Sequence, residues 1–87
     1  MIGILIIAHT PLGSALRECA LHVFPDCASG VAAIDVLAND APETTLADAQ
    51  RAMAGLGTDE VLLLSDVFGA TPCNVAQKLH DGVHTRL

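Results

Sequence analysis

Apolar residues fall along this chain in short unbroken runs separated by stretches of helical periodicity. Residues 2–8 (Ile2-Gly3-Ile4-Leu5-Ile6-Ile7-Ala8) carry no polar side chain and predict a fully buried strand. Leu12, Ala15, Leu16, Cys19, Ala20 and Val23 then recur at helical spacing. Thr10 is the expected N-cap of that helix, with Pro11 in its first turn, and Pro25, Asp26 and Ser29-Gly30 are expected to end it. Residues 31–37 form a second apolar run, interrupted by Asp35. Asp40-Ala41-Pro42-Glu43 has the form of a capping box with proline in the first turn. Leu46, Ala49, Met53 and Leu56 mark the helix that follows, with Gly55 and Gly57 as its stop. Residues 60–66 contain the third strand, Val61-Leu62-Leu63-Leu64. A loop of Val67-Phe68-Gly69-Ala70 leads to Thr71-Pro72, which repeats the helix start of Thr10-Pro11. The third helix is expected to reach about His80. Asp81-Gly82 then reads as a turn, and residues 83–87 as the start of a fourth strand.

The order is βαβαβα with the beginning of another β. Right-handed crossovers make this an α/β fold with a doubly wound, mostly parallel sheet. At 87 residues the chain is a single domain, 1–87. It stops at the start of a strand with no helix after it. The expectation is an incomplete domain, truncated or completed by another chain, because three parallel strands leave an apolar edge uncovered.

Composition narrows the function. Hydrophobic residues make up 52% of the chain and aromatics only 2%, Phe24 and Phe68, so the core is built from Ala, Leu, Val and Ile. The net charge is −6 with four basic residues, Arg17, Arg51, Lys78 and Arg86. Nucleic-acid binding requires a basic footprint that is not there, and an anionic membrane surface is disfavoured for the same reason. The N-terminal apolar run is too short to span a bilayer and lacks the basic segment of a signal peptide. Cys19, Cys27 and Cys73 form no CxxC pair and no even disulfide set. The expectation is a soluble cytoplasmic protein with no membrane insertion.

Chemistry concentrates at two strand ends. His9 closes the first apolar run and Asp66 the third. In doubly wound sheets the first strand commonly lies beside the third, and ligands bind at the carboxyl ends where the order reverses. A carboxylate on one ring nitrogen fixes the imidazole tautomer and leaves the other nitrogen as nucleophile. The two helix N-termini that follow are suited to anions, phosphate above all. Gly69 and Ala70 allow close backbone approach, and the Thr71 hydroxyl is a donor. The set suits a transient phosphohistidine. It is equally compatible with plainer roles: a loop histidine, an aspartate capping a turn, an ordinary Thr-Pro helix start.

Two segments carry a family resemblance. Ile4-Leu5-Ile6-Ile7-Ala8-His9 and Leu63-Leu64-Ser65-Asp66-Val67-Phe68-Gly69-Ala70-Thr71-Pro72-Cys73-Asn74-Val75-Ala76 resemble the mannose-type (mannose, fructose and sorbose) IIA component of the phosphoenolpyruvate-dependent sugar phosphotransferase system. The resemblance implies that His9 accepts a phosphoryl group from the phosphocarrier HPr and passes it to a IIB domain, in sugar uptake or its regulation. It implies Asp66 as the aspartate bonded to the imidazole. It implies Thr71 and Gly69 as phosphoryl-binding residues, with Thr10 beside the histidine, and Asn74 as the asparagine of the same motif. It further implies a homodimer, and neither metal nor bound cofactor. The chain departs from the family pattern at Ala70, where a second glycine is usual, and at Thr10, where a small residue is common. Family domains also continue with a further strand and helix.

Other readings compete. The same fold can receive phosphate purely as a regulatory signal, without sugar transport. An aspartyl-phosphate receiver would use Asp66 as acceptor, but it wants acidic residues after the first strand to hold Mg²⁺, where this chain has His9-Thr10-Pro11. A flavin site lacks its hydroxyl-rich cradle and stacking aromatics. A zinc site from Cys19, His22 and Cys27 has no regular fourth ligand, and Cys19 is expected to be a buried small hydrophobe.

Overall fold

The computed structural model describes residues 2–37, 39–66, 71–79 and 85–86, with only the backbone at residues 27, 71–73 and 85–86. Strand β1 (Ile2–His9) leads into helix α1 (Leu12–Val23), a 3₁₀ segment (Pro25–Gly30) and strand β2 (Val31–Val36). Helix α2 (Pro42–Leu56), strand β3 (Glu60–Ser65), helix α3 (Thr71–Leu79) and a short strand β4 (Thr85–Arg86) follow.

The sheet order is β2-β1-β3-β4, and all three pairings are parallel. β1 is therefore central, with β2 on one side and β3 on the other. Leaving β1 the chain winds outward through α1 to β2, then crosses back over β1 through α2 to β3. Right-handed crossovers in opposite directions put α1 on one face and α2 with α3 on the other. The switch point between β1 and β3 is the one expected from the sequence.

Strand alternation distributes the core over the two faces. Leu5 and Ile7 of β1, Val36 of β2, and Val61 and Leu63 of β3 pack with Ala49 of α2 and with Val75 and Ala76 of α3. Leu46, Met53 and Leu56 close over this core from α2, as their spacing predicts, with Ala52 beside them. On the α1 face Ile6, Ala8 and Val31 form a second, smaller cluster. Leu62 and Leu64 also belong to that face by alternation. They are 36% and 41% exposed, because α1 lies over β1 and β2 and does not reach them.

Helix α1 corrects the sequence reading. Apart from Ala20, its expected inward stripe faces solvent: Leu12, Leu16 and Val23 are 41%, 43% and 64% exposed, and Cys19 is exposed rather than buried. The residues turned to the sheet are Gly13, buried, and Arg17, Ala20 and Leu21, half-buried. Arg17 ties this face down, its Nε–H donating to the Val31 carbonyl at 2.8 Å and Nη2 to that of Ala28 at 2.9 Å. The long stem of an arginine can cover apolar surface while its head bonds backbone oxygens, so hydrophobicity alone misplaces the stripe.

Both expected caps also differ. Pro11, not Thr10, occupies the N-cap position of α1, without a side-chain cap of its own. Asp40 does not cap α2. Its Oδ2 turns back to accept the Leu37 N–H at 2.8 Å, Ala41 is the N-cap, and Pro42 opens the helix. The stop at Gly57 holds, since it adopts φ 65° in the left-handed region, whereas Gly55 lies inside α2. The expected turn, Asp81-Gly82, lies outside the described residues, as do His80, Val83, His84 and Leu87, while Thr85 and Arg86 form the expected fourth strand.

Candidate functional site

β1 and β3 pair in register from Ile2↔Glu60 to Ile7↔Ser65. Asp66 follows Ser65 directly and His9 lies two residues past Ile7, so both emerge at the carboxyl edge of the sheet. His9 has the parity of Leu5 and Ile7, so it belongs to the face that carries α2 and α3. Its Nδ1 stands 2.8 Å from Asp66 Oδ2, and its main-chain N–H donates to the same oxygen at 3.0 Å. An ionised carboxylate only accepts, so the ring nitrogen facing it carries the proton. That assigns the Nδ1–H tautomer to neutral His9 and puts the lone pair on Nε2. The His9 side chain is 46% accessible and that of Asp66 13%. The imidazole is thus held from below by a sheltered carboxylate while much of the ring meets solvent.

The chain beyond His9 is fastened to β2. The Thr10 N–H donates to the Val36 carbonyl at 3.0 Å, so of its two donors the hydroxyl of the exposed side chain is the one left for a ligand. Asp35, opposite Ala8 on β2, accepts the Ser14 N–H on Oδ1 at 2.9 Å and the Ser14 hydroxyl on Oδ2. A carboxylate from a neighbouring strand thereby serves as the missing cap of α1. Of the two helix N-termini expected to receive an anion, that of α1 already has one. The other, opening α3, starts at Thr71 as expected, with Asn74 exposed in its first turn. Gly69 and Ala70 lie outside the described residues, as does the side chain of Thr71. Asp35 and Ser14 were not among the sequence candidates, although a single carboxylate within an apolar strand was a visible signal.

The described cations lie elsewhere. Arg17 reaches the amino end of β2, Arg51 pairs with Asp48 on α2, and Lys78 is in the last turn of α3. A groove of about 430 Å³ between the start of α2 and α3 is lined by Pro42, Asn74, Val75, Gln77 and Lys78, and neither His9 nor Asp66 borders it. Among the described residues, no three His, Cys, Asp or Glu side chains are grouped to hold a metal ion. No helix there is long and apolar enough to cross a membrane.

The family model described as the PTS system fructose IIA component, EIIA-man, matches residues 3–84. The fold is similar to that of the phosphotransferase system component EIIA from Streptococcus agalactiae, with TM-score 0.77 and 25% identity over 99% of this chain and 66% of that one. It is also similar to a sigma-54 interaction domain protein from Enterococcus faecalis, with TM-score 0.69 over 98% of this chain and 64% of that one. At 16% identity the second likeness concerns the fold alone. The chain spans just under two thirds of the length of either solved relative. No curated protein matches it in sequence. With the family match running through both strand ends of the site, from β1 to beyond α3, the chain belongs to the EIIA-man family of phosphotransferase-system IIA components.

Proposed function

We propose that this chain is a phosphoryl carrier in which His9 takes a phosphoryl group from phosphorylated HPr and delivers it to a IIB domain. The observation that supports this most directly is the 2.8 Å contact between His9 Nδ1 and Asp66 Oδ2. It presents Nε2 as the nucleophile on an exposed ring. In the transfer, the Nε2 lone pair attacks phosphorus in line as the nitrogen–phosphorus bond to the donor imidazole breaks. That electron pair returns to the donor ring. The Nδ1 proton stays in the bond to Asp66, so the positive charge developing on the ring faces a carboxylate. Phosphoryl transfer asks for positioning and charge stabilisation rather than covalent help. A shallow, accessible acceptor suits a group that two proteins must reach in turn.

The incoming phosphoryl oxygens need donors. With α1 capped by Asp35 and the described cations remote, the first turn of α3 is the natural cradle. In this reading Thr71 and Gly69 bind the phosphoryl group there, with the Thr10 hydroxyl at its side. The site works in the cytoplasm as part of a homodimer, both on the strength of the family resemblance.

Incubation with phosphoenolpyruvate, Enzyme I and HPr, followed by intact mass and site mapping, tests the acceptor. One acid-labile phosphoryl group, absent from His9→Ala, is expected. A folded protein that remains unmodified would refute the reading. Addition of candidate IIB domains then separates transport from signalling, since a phosphorylated protein that passes its group to none of them fits the regulatory reading.

A further inference from the structure

We propose that Asp35 is a positioning residue for the phosphoacceptor, fixing the segment that leaves His9 by clamping the first turn of α1 onto β2. The inference rests on the carrier reading for its kinetic consequence, but the clamp itself is a matter of structure.

His9 is held from two directions. From the β3 side Asp66 bonds its ring and its main-chain N–H. From the β2 side the chain is fastened twice within five residues, by the Val36 carbonyl at Thr10 and by the Asp35 carboxylate at Ser14. Between these points lies Pro11, which has no N–H to give and no side-chain cap to supply. Asp35 therefore provides the side-chain anchor that the start of α1 lacks. Its place in the strand fits this role. Opposite Ala8, it points by alternation to the α1 face, where its neighbours Val31 and Ala33 are apolar. A carboxylate there is tolerated because helix N–H and hydroxyl donors meet it.

The fit is close. A Cβ on Gly13 would lie 2.7 Å from Asp35 Oδ1 and 3.0 Å from the Ile34 carbonyl. The glycine lets the helix settle directly onto the carboxylate. Without Asp35, residues 10–14 keep one backbone bond to β2, and the β2-side support of His9 is halved. In-line transfer is sensitive to displacements of about 1 Å, so a loosened His9 should lose turnover rather than donor affinity. Asparagine can replace the clamp almost atom for atom. Its carbonyl accepts the Ser14 N–H and its amide donates to the Ser14 hydroxyl.

The test is a set of variants, Asp35→Ala, Asp35→Asn and Ser14→Ala, each compared with wild type at equal concentration of folded protein. Phosphorylation by phosphorylated HPr gives kcat and KM, and ¹⁵N NMR of the imidazole reports the Nδ1–H tautomer and its bond to Asp66. Asp35→Ala is expected to lower kcat about tenfold or more with KM little changed, and to shift the His9 ring signals. Asp35→Asn should restore most of both. Wild-type turnover and ring signals in folded Asp35→Ala would overturn the proposal. Should Asp35→Ala not fold, Ser14→Ala decides in its place, since it removes only the hydroxyl half of the clamp. A smaller shift in the same direction supports the clamp, and none refutes it. If wild type itself accepts no phosphoryl group, the carrier reading fails, and the ring spectra alone still decide the role of Asp35.

Discussion

One oxygen of Asp66, Oδ2, accepts both the ring Nδ1–H and the main-chain N–H of His9, at 2.8 and 3.0 Å. The two bonds close a small loop that ties the direction of the imidazole to the end of its strand. A carboxylate bonded to the ring alone would fix the tautomer but leave the ring free to swing about its Cα–Cβ bond. Held at both points, the ring presents Nε2 in one direction before any partner arrives, so the ordering is complete in advance of encounter.

Asp66→Ala removes both bonds and should slow phosphoryl transfer to His9 by about 100-fold while leaving the protein folded. The stability loss should be about 1–3 kcal/mol, roughly that of one hydrogen bond to a charged group, because the exposed ring can turn to water when its partner is gone. Asp66→Asn should fall between alanine and wild type, because an amide oxygen still accepts from Nδ1–H without supplying charge. Rapid-quench kinetics together with urea unfolding checks both. Transfer at the wild-type rate in the alanine variant would remove Asp66 from the mechanism.

Ser65, the last residue of β3, has a buried hydroxyl with no hydrogen-bond partner among the described residues. Removing an unsatisfied buried polar atom relieves a desolvation penalty. Ser65→Ala should therefore be neutral or stabilise by up to about 1 kcal/mol, with the His9 ring signals unchanged. A loss of more than that, measured by urea unfolding, would mean that the hydroxyl bonds a group outside the described residues.

The two faces of β3 make opposite predictions at adjacent positions. Leu63 is fully buried in the core under α2 and α3, and Leu63→Ala should cost about 2–5 kcal/mol. Leu64, one residue on, is 41% exposed on the α1 face. Leu64→Thr keeps a strand-forming residue there and should change stability by less than about 1 kcal/mol. Equal, large losses at both positions would show that a further element covers Leu64 in solution.

Much of this architecture is legible in the residue pattern, for identifiable reasons. Runs such as Ile4-Leu5-Ile6-Ile7-Ala8 leave no polar face, so they announce a central parallel strand. Once the strands are placed, the usual doubly wound order puts β1 between β2 and β3, and His9 meets Asp66 across 57 positions of sequence. The features that escape the pattern depend on tertiary contact. Asp35 caps a helix 21 residues away, and no local rule pairs a mid-strand carboxylate with a distant Ser14. The local alternative, a Thr10 cap, loses because the Thr10 N–H is drawn to Val36 and the helix begins two residues later. Helix α1 shows the same limit in packing. A glycine and an arginine do not count as apolar, yet Gly13 gives the closest approach to the sheet and Arg17 bonds carbonyls at its far end. Leu12 and Leu16 win on hydrophobicity and still face outward.

Three glycines subjected to the same change, Gly→Ala, separate close approach, backbone strain and simple helix propensity. At Gly13 the new methyl carbon would fall 2.7 Å from Asp35 Oδ1 and 3.0 Å from the Ile34 carbonyl. Neither neighbour can withdraw cheaply, one being the helix cap and the other strand backbone, so Gly13→Ala should cost about 1–3 kcal/mol. It should also disturb the Ser14 amide signal, because the clamp has to open. At Gly57 there is no steric neighbour within 4 Å, but φ is +65°. Gly57→Ala should cost about 1 kcal/mol from the left-handed backbone alone, with the Ser14 signal untouched. Gly55 lies inside α2 with open space where a Cβ would go. Gly55→Ala should stabilise by about 0.5–1 kcal/mol, the helix-propensity difference between the two residues. Urea unfolding of the three variants should therefore rank Gly55→Ala above wild type, then Gly57→Ala, then Gly13→Ala. A Gly13→Ala variant as stable as wild type, with an unmoved Ser14 amide, would mean that α1 does not rest on Asp35, and the anchoring of the His9 segment to β2 would have to be abandoned with it.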